Sequence, residues 1–308
     1  MTCTIKWNSL NFPEWNERFS RLNRATLLQS YSYAQALAEV KSQKPRWGLI
    51  EIDGQEAGLV QIFEVGLLRN IIHAVILDRG PLWFEGFGNK EHVQEFFIEF
   101  NRLFPNRFGR KRRVIPEAGV DLAKLGYTKS GEGYETIWIN LRESEDSLRK
   151  ELKKNWRGTL TKAEKSDIKI EWDHKGEQFA WLMQNYLFDR EQKGYSGPSV
   201  KLLRAMAKYH NLREELLIGR AILDGEPIAG VLILKHGHAA TYQIGFSSDA
   251  GRRVGAHHII LWNALLHLKQ MGITDFDLGG INDETAKGVK QFKTGMGGEK
   301  VKLASMYS

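Results

Sequence analysis

Apolar positions along the chain alternate between a period of two and a period near three and a half, and the switches mark strands giving way to helices. In WGLIEIDGQEAGLVQIFEV (47–65) two apolar runs flank Asp53-Gly54, and in LLIGRAILDGEPIAGVLILKHG (216–237) two more flank Asp224-Gly225. An Asp-Gly pair between apolar runs predicts a tight hairpin, because both central residues of such a turn need positive φ. Each second strand is entered through a glycine, Gly58 or Gly230. Helical spacing predicts helices over Ser30–Lys41, over HVQEFFIEFNRLF, over Phe179–Lys193, over Ser199–Tyr209 and over HHIILWNALLHLKQMG. IIHAVILDRGPLWF from Ile71, ATYQIGFS and ITDFDLGGI read as further strands.

The same order of helix, hairpin, strand and helix occurs twice. It predicts an α/β protein of two duplicated halves, 1–143 and 144–308, each a mixed central sheet flanked by helices, with the C-terminal tail packing on the first half. A chain of 308 residues is long enough for two such cores. SEDSLRKELKKNWRGTLTKAEKS (144–166) reads as one helix that Ser144 caps. Leu148, Leu152, Trp156, Leu160 and Ala163 form its apolar stripe, with Lys150, Lys153, Lys154 and Arg157 on the other side.

Charge sharpens this picture. The net charge is +7, with 44 bases against 37 acids. One basic cluster is Arg107, Arg110, Lys111, Arg112 and Arg113; Arg149–Glu164 holds six bases and two acids. That excess points to an anionic partner such as nucleic acid, a phosphorylated precursor or a membrane surface. No apolar run reaches the ~20 residues of a membrane span. The start MTCTIKWNSLNF carries no signal-like core, so a cytoplasmic location is expected. Cys3 is the single cysteine, which excludes a disulfide framework, and its terminal position argues against a nucleophilic role.

Four further segments stand in order along the chain: LLQSYSYAQALAEVK (27–41), LDRGPLW (77–83), ETIWINLRESEDSLRKELKKNWRGTLTKAEKSDIKI (135–170) and DFDLGGINDETAKGVKQFKTGMGGEK (275–300). Together they resemble the Fem family of nonribosomal aminoacyltransferases, which have paired acetyltransferase-like (GNAT-like) domains. The resemblance implies transfer of an amino acid from aminoacyl-tRNA to an amine acceptor, a UDP- or lipid-linked muropeptide of peptidoglycan synthesis being the family's example. It implies no cofactor and no stable protein partner, with peripheral membrane contact as a further expectation.

Carried over residue by residue, it makes Lys293 the catalytic charge on the reacting carbonyl and Phe292 a stacking residue for the aminoacyl end. The basic residues Lys153, Lys154 and Arg157 would bind the donor, and Lys41 and Arg190 the acceptor's phosphates. Asp275 and Asp277 alternate with Phe276 and so share one strand face, where they could orient an amine or simply pair with neighbouring bases. Acyl transfer from an ester to an amine needs placement and oxyanion stabilisation, not a metal or a protein nucleophile. The sequence has no convincing metal-ligand spacing; His257 and His258 are adjacent and are expected to point to different sides of a helix.

Two other readings stand beside this one. An acyl-CoA-dependent N-acyltransferase would bind pyrophosphate at a helix start, and Arg252-Arg253-Val254-Gly255-Ala256-His257 matches such a loop in part. A non-catalytic protein of the same fold that binds RNA or a membrane surface would use the same basic helix.

Overall fold

The computed structural model describes residues 1–67, 72–117, 121–281 and 287–308. Its contacts divide the chain into Met1–Tyr134 with Lys302–Ser308, and Glu135–Val301.

The first unit begins with β1 (Cys3–Trp7), α1 (Phe12–Ser20) and a 3₁₀ turn at Leu27–Gln29, then α2 (Tyr31–Lys41), β2 (Lys44–Ile52) and β3 (Gln55–Leu67). It continues through β4 (Ile72–Asp78), β5 (Leu82–Trp83), α3 (Lys90–Leu103), β6 (Arg110–Ile115) and β7 (Lys129–Gly131). Ile71 of the expected strand lies outside the described residues. The second unit runs β8 (Glu135–Asn140), α4 (Glu145–Glu151), α5 (Lys154–Ala163), β9 (Lys169–Asp173), α6 (Phe179–Lys193), α7 (Val200–Asn211), β10 (Leu216–Leu223) and β11 (Glu226–His236). After these come β12 (Ala239–Ser247), α8 (Asp249–Val254), α9 (Ala256–Gln270), β13 (Asp275–Asp277), α10 (Lys287–Gly295) and β14 (Glu299–Lys302); β15 (Met306–Tyr307) returns to the first sheet.

The two sheets have one plan. The first has the order β1-β2-β3-β4-β6-β15-β7, with β5 on β3, and the second β14-β8-β13-β12-β11-β10-β9. In each, four antiparallel strands lead to one parallel pair, β4 with β6 and β12 with β13, followed by an antiparallel strand. The hairpins match in detail. Asp53 and Gly54 have φ of 49° and 82°, and Asp224 and Gly225 have 52° and 82°. Both hairpins carry a bulge at the third residue before the turn, between Ile50 and Glu51 and between Ala221 and Ile222.

The two glycines that open the second strands are there for space. A Cβ on Gly58 would lie 2.2 Å from the Leu82 carbonyl oxygen, and one on Gly230 would lie 2.6 Å from the Trp181 ring. Side chains of the segments 27–41 and 77–83 are likewise architectural. The Gln29 amide bonds Gln61 N and O at 2.7 and 2.9 Å and Asp78 O at 2.8 Å, joining β3 to β4. Arg79 is buried and grips Glu117 through Nε (3.1 Å) and Nη2 (2.9 Å).

Three expectations change. The division falls after Tyr134 rather than after 143, because β8 pairs with β13. The helix expected over 144–166 is two helices, broken at Leu152–Lys153, although its whole apolar stripe is buried as read. Cys3 is not on a frayed end: β1 pairs with β2, and burial pushes the thiol up to about 12, which is what removes it as a nucleophile.

Each unit has its own core. In the first, α3 lays Phe96, Phe97 and Phe100 on β2, β3 and β4. In the second, α5 and α9 pack on one face of the sheet around Trp156, Leu160, Ile260, Leu265 and Phe276. Among the described residues no helix is long and apolar enough to cross a membrane.

Candidate active site

The parallel pair of the second sheet stops early. Ala239, Ala240 and Thr241 pair with Asp275, Phe276 and Asp277, after which β13 ends while β12 runs on to Ser247. The chain leaves β13 through Leu278 and the left-handed Gly279 (φ 71°). Residues 282–286 of the segment 275–300 lie outside the described residues. Beyond them Phe292 and Lys293 sit on α10.

Lys293 reaches back from α10 to the place where the two strands part. Its Nζ donates to the Gly280 carbonyl at 3.0 Å and lies 5.5 Å from the centre of the Tyr242 ring. The side chain is buried, and that burial pulls its pKa down from 10.5 to about 8, against the opposing charge of Asp277. A Cβ on Gly279 would come within 3.5 Å of Nζ. Thus a nearly dry ammonium, still mostly protonated at neutral pH, is fixed in the gap between β12 and β13.

Asp277 is buried beside it. Its carboxylate accepts from the Thr136 hydroxyl of β8 and from the Gly279 N–H at 2.8 Å. Asp275, also buried, has a different role: Arg142 Nη1 and Thr274 Oγ1 each donate to its Oδ2 at 2.8 Å. The two carboxylates share a strand face as read, but only Asp277 is part of the lysine's surroundings.

Tyr242 follows Thr241, the last residue of β12 paired with β13, and its hydroxyl lies 3.0 Å from His257 Nε2 at the start of α9. Burial lowers His257 to about 4, with the His258 charge adding to the effect, so it is neutral at pH 7. Burial raises the Tyr242 hydroxyl above its ordinary value, with Tyr195 and Tyr186 adding to it. The contact is therefore a neutral hydrogen bond. Gly245 makes room for it, since a Cβ there would lie 2.1 Å from the Tyr242 oxygen. A glycine inside an otherwise strand-like run is the sequence signal that could have drawn attention to Tyr242.

Phe292 packs on three rings, those of Trp156 (5.8 Å), His257 (5.2 Å) and His258 (4.9 Å). The adjacent histidines both touch this ring, His257 from the Tyr242 side and His258 from the Trp156 side. Trp156 ties this group to α5, and the Lys153 N–H donates to the Gly295 carbonyl of α10 at 2.9 Å. Lys153, Lys154 and Arg157 are exposed on that first turn of α5. The structure therefore joins the proposed donor-binding bases to the helix that carries Lys293.

Arg190 and Lys41, the residues expected at the acceptor's phosphates, lie on separate elements. Arg190 of α6 donates to the Pro198 carbonyl at 3.1 Å, with its guanidinium 5.7 Å from the Tyr186 ring centre. Beside it Asp189 pairs with Lys193 at 2.6 Å and accepts from the Tyr195 hydroxyl at 3.3 Å. Lys41 is exposed at the end of α2 in the first unit. There burial raises the Asp78 carboxyl, an effect partly offset by Arg113 and Lys41.

The partial acyl-CoA loop is also placed. Arg252–Val254 belong to α8, and Gly255 (φ 74°) precedes the first residue of α9. α5 lies against this helix start: a Cβ on Gly255 would be 2.9 Å from Thr159 Cγ2.

Residues 147–294 match the family model described as an acetyltransferase (GNAT) domain. Among solved structures, the chain is similar to FemX, with a TM-score of 0.79 and 14% identity over 98% of this chain and 96% of that one. It is also similar to the C-terminal domain of a putative lysylphosphatidylglycerol synthetase from Agrobacterium fabrum (TM-score 0.55, 13% identity, 94% and 91% covered). A tandem GNAT protein from the clavulanic acid biosynthesis pathway gives 0.52 and 8% identity over 99% and 98%. No curated protein matches the chain. The family match thus lies within the second unit, and the chain as a whole has the fold of FemX.

Proposed function

We propose that this protein is an aminoacyltransferase that moves an amino acid from aminoacyl-tRNA to an amine acceptor, with Lys293 stabilising the oxyanion. The observation that carries the reading is the buried Lys293 ammonium held between the parting strands by the Gly280 carbonyl. An ammonium fixed in a low-dielectric gap needs no reorganisation when negative charge develops on a carbonyl oxygen, and it is worth far more there than in water. The acceptor amine attacks the ester carbonyl, the C–N bond forms, and the tetrahedral oxyanion collapses with loss of the terminal ribose hydroxyl. The amine's proton leaves with that hydroxyl or to water.

The remaining residues fall into supporting roles. Phe292, on its platform of Trp156, His257 and His258, offers a ring beside Lys293 for the terminal adenosine. Lys153, Lys154 and Arg157 take the adjoining phosphates of the donor. Arg190, set against Tyr186, and Lys41 are assigned to phosphates of the acceptor, for which a UDP- or lipid-linked muropeptide has the right chemistry. Asp277 and Thr136 position the loop that presents Lys293.

Acyl-CoA is the less favoured donor. A pyrophosphate at the start of α9 would need the space next to Gly255, against which Thr159 of α5 already packs. The test is to supply labelled aminoacyl-tRNA or labelled acetyl-CoA with a muropeptide amine and follow the amide product. Product from aminoacyl-tRNA alone supports the reading; product from acetyl-CoA alone refutes it.

A further inference from the structure

In the first unit an exposed apolar tip is ringed by cations. Arg107 and Arg110 exchange both backbone hydrogen bonds (3.0 and 2.8 Å), closing a tight turn with Phe108 and Gly109 at its apex. Phe108 is fully exposed. The His73 N–H donates to the Gly109 carbonyl at 2.8 Å, which sets the start of β4 beside the turn, and there Ile72 is 46% exposed. Arg107 and Lys111 are exposed on either side of the apex. Two bases of the same run are occupied elsewhere: Arg112 is buried on the Tyr127 ring (4.1 Å), and Arg113 pairs with Asp78 at 2.5 Å. The folded chain thus keeps an aromatic and an aliphatic side chain in water at one end of a sheet, with positive charge around them.

We propose that this tip docks the protein on an anionic lipid bilayer, with Phe108 and Ile72 entering the interface and Arg107 and Lys111 meeting the headgroups. A bilayer surface supplies an apolar layer and, immediately above it, fixed anions, which is the complement of this arrangement. Nucleic acid would match the cations and could stack on Phe108, but it offers nothing apolar for Ile72. A single shallow tip gives weak, reversible binding. The inference does not depend on the chemistry assigned to Lys293, and its test uses no turnover.

The full chain is sedimented with vesicles of phosphatidylcholine alone or mixed with phosphatidylglycerol. Binding should require phosphatidylglycerol and weaken with salt. Phe108→Ala should lower partitioning at least tenfold, taking a fully inserted ring as ~1.5–3 kcal/mol, and Lys111→Ala about fivefold, while Phe108→Trp keeps it. Circular dichroism should be unchanged in all three, because these side chains are exposed. No binding to phosphatidylglycerol vesicles overturns the proposal. So does equal binding by wild type and Phe108→Ala, which would place the contact on another basic face such as that of α5. Loss of tRNA affinity in Phe108→Ala with vesicle binding intact would also overturn it, in favour of nucleic acid.

Discussion

Replacing Lys293 with methionine separates the lysine's cost to folding from its use in the reaction. Methionine keeps an unbranched stem of similar length and removes the charge. Holding the ammonium's pKa at about 8 instead of 10.5 corresponds to about 3 kcal/mol of unfavourable burial at neutral pH. The sign follows from linkage: the folded value lies below the unfolded one, so the cost is full below about 8 and fades as pH rises towards 10.5. Against this gain, the variant loses the bond to Gly280 O, worth about 1 kcal/mol. The net gain of about 2 kcal/mol should raise the melting temperature of the second unit by roughly 4–8 °C. Aminoacyl transfer should fall by about 10²–10³, as when one preorganised oxyanion donor is removed. Calorimetry of the full chain and single-turnover transfer are the two assays. A melting point that is unchanged or lower would refute the burial argument, and transfer within threefold of wild type would take Lys293 out of the chemistry.

Other consequences can be measured independently. Burial holds His210, His257 and His258 at about 4, so the second unit should lose several kcal/mol as pH falls from 6.5 through 4, seen by urea unfolding; His210→Leu should flatten that slope. Changing Lys153, Lys154 and Arg157 together to glutamine should reduce the salt dependence of tRNA affinity by about two to three in log–log slope, measured by filter binding, with acceptor affinity unaltered. Gly58→Ala forces a Cβ to 2.2 Å from a carbonyl oxygen and should destabilise the first unit by about 3 kcal/mol or more; a melt within error of wild type would contradict the close crossing of β3 and β5.

How much of this was legible in the sequence depended on whether the cause was local. The two hairpins were readable because Asp-Gly turns announce positive φ, and α6 and α9 because their apolar spacing is long and regular. The break between α4 and α5 was not: the stripe from Leu148 to Ala163 runs through it without a glycine or proline until Gly158. A distant carbonyl, Gly295 O, takes the Lys153 N–H just where α5 begins. The strands that complete the sheets were hidden for a similar reason. β8 and β15 each join a sheet whose other strands lie far off in sequence, and nothing in ETIWIN or MY names the partner.

Within the candidate site, Phe292 and Lys293 came from family resemblance, and the structure supplies what resemblance could not: burial, the Gly280 contact and the helix that carries them. Thr136 and Tyr242 looked like ordinary strand residues. Their importance lies in what β13 and α9 bring against them. Asp275 and Asp277 looked equivalent; Arg142 on the first and Thr136 on the second, each more than a hundred residues away in sequence, separate them.

The most direct test is the pH dependence of the single-turnover rate of aminoacyl transfer in wild type and Lys293→Met. If the lysine acts as its ammonium, the wild-type rate should decline above a pKa near 8, and the remaining activity of the variant should lack that alkaline limb. A wild-type rate that instead climbs through pH 8 to a plateau, or an alkaline limb that persists in the methionine variant, would contradict the account.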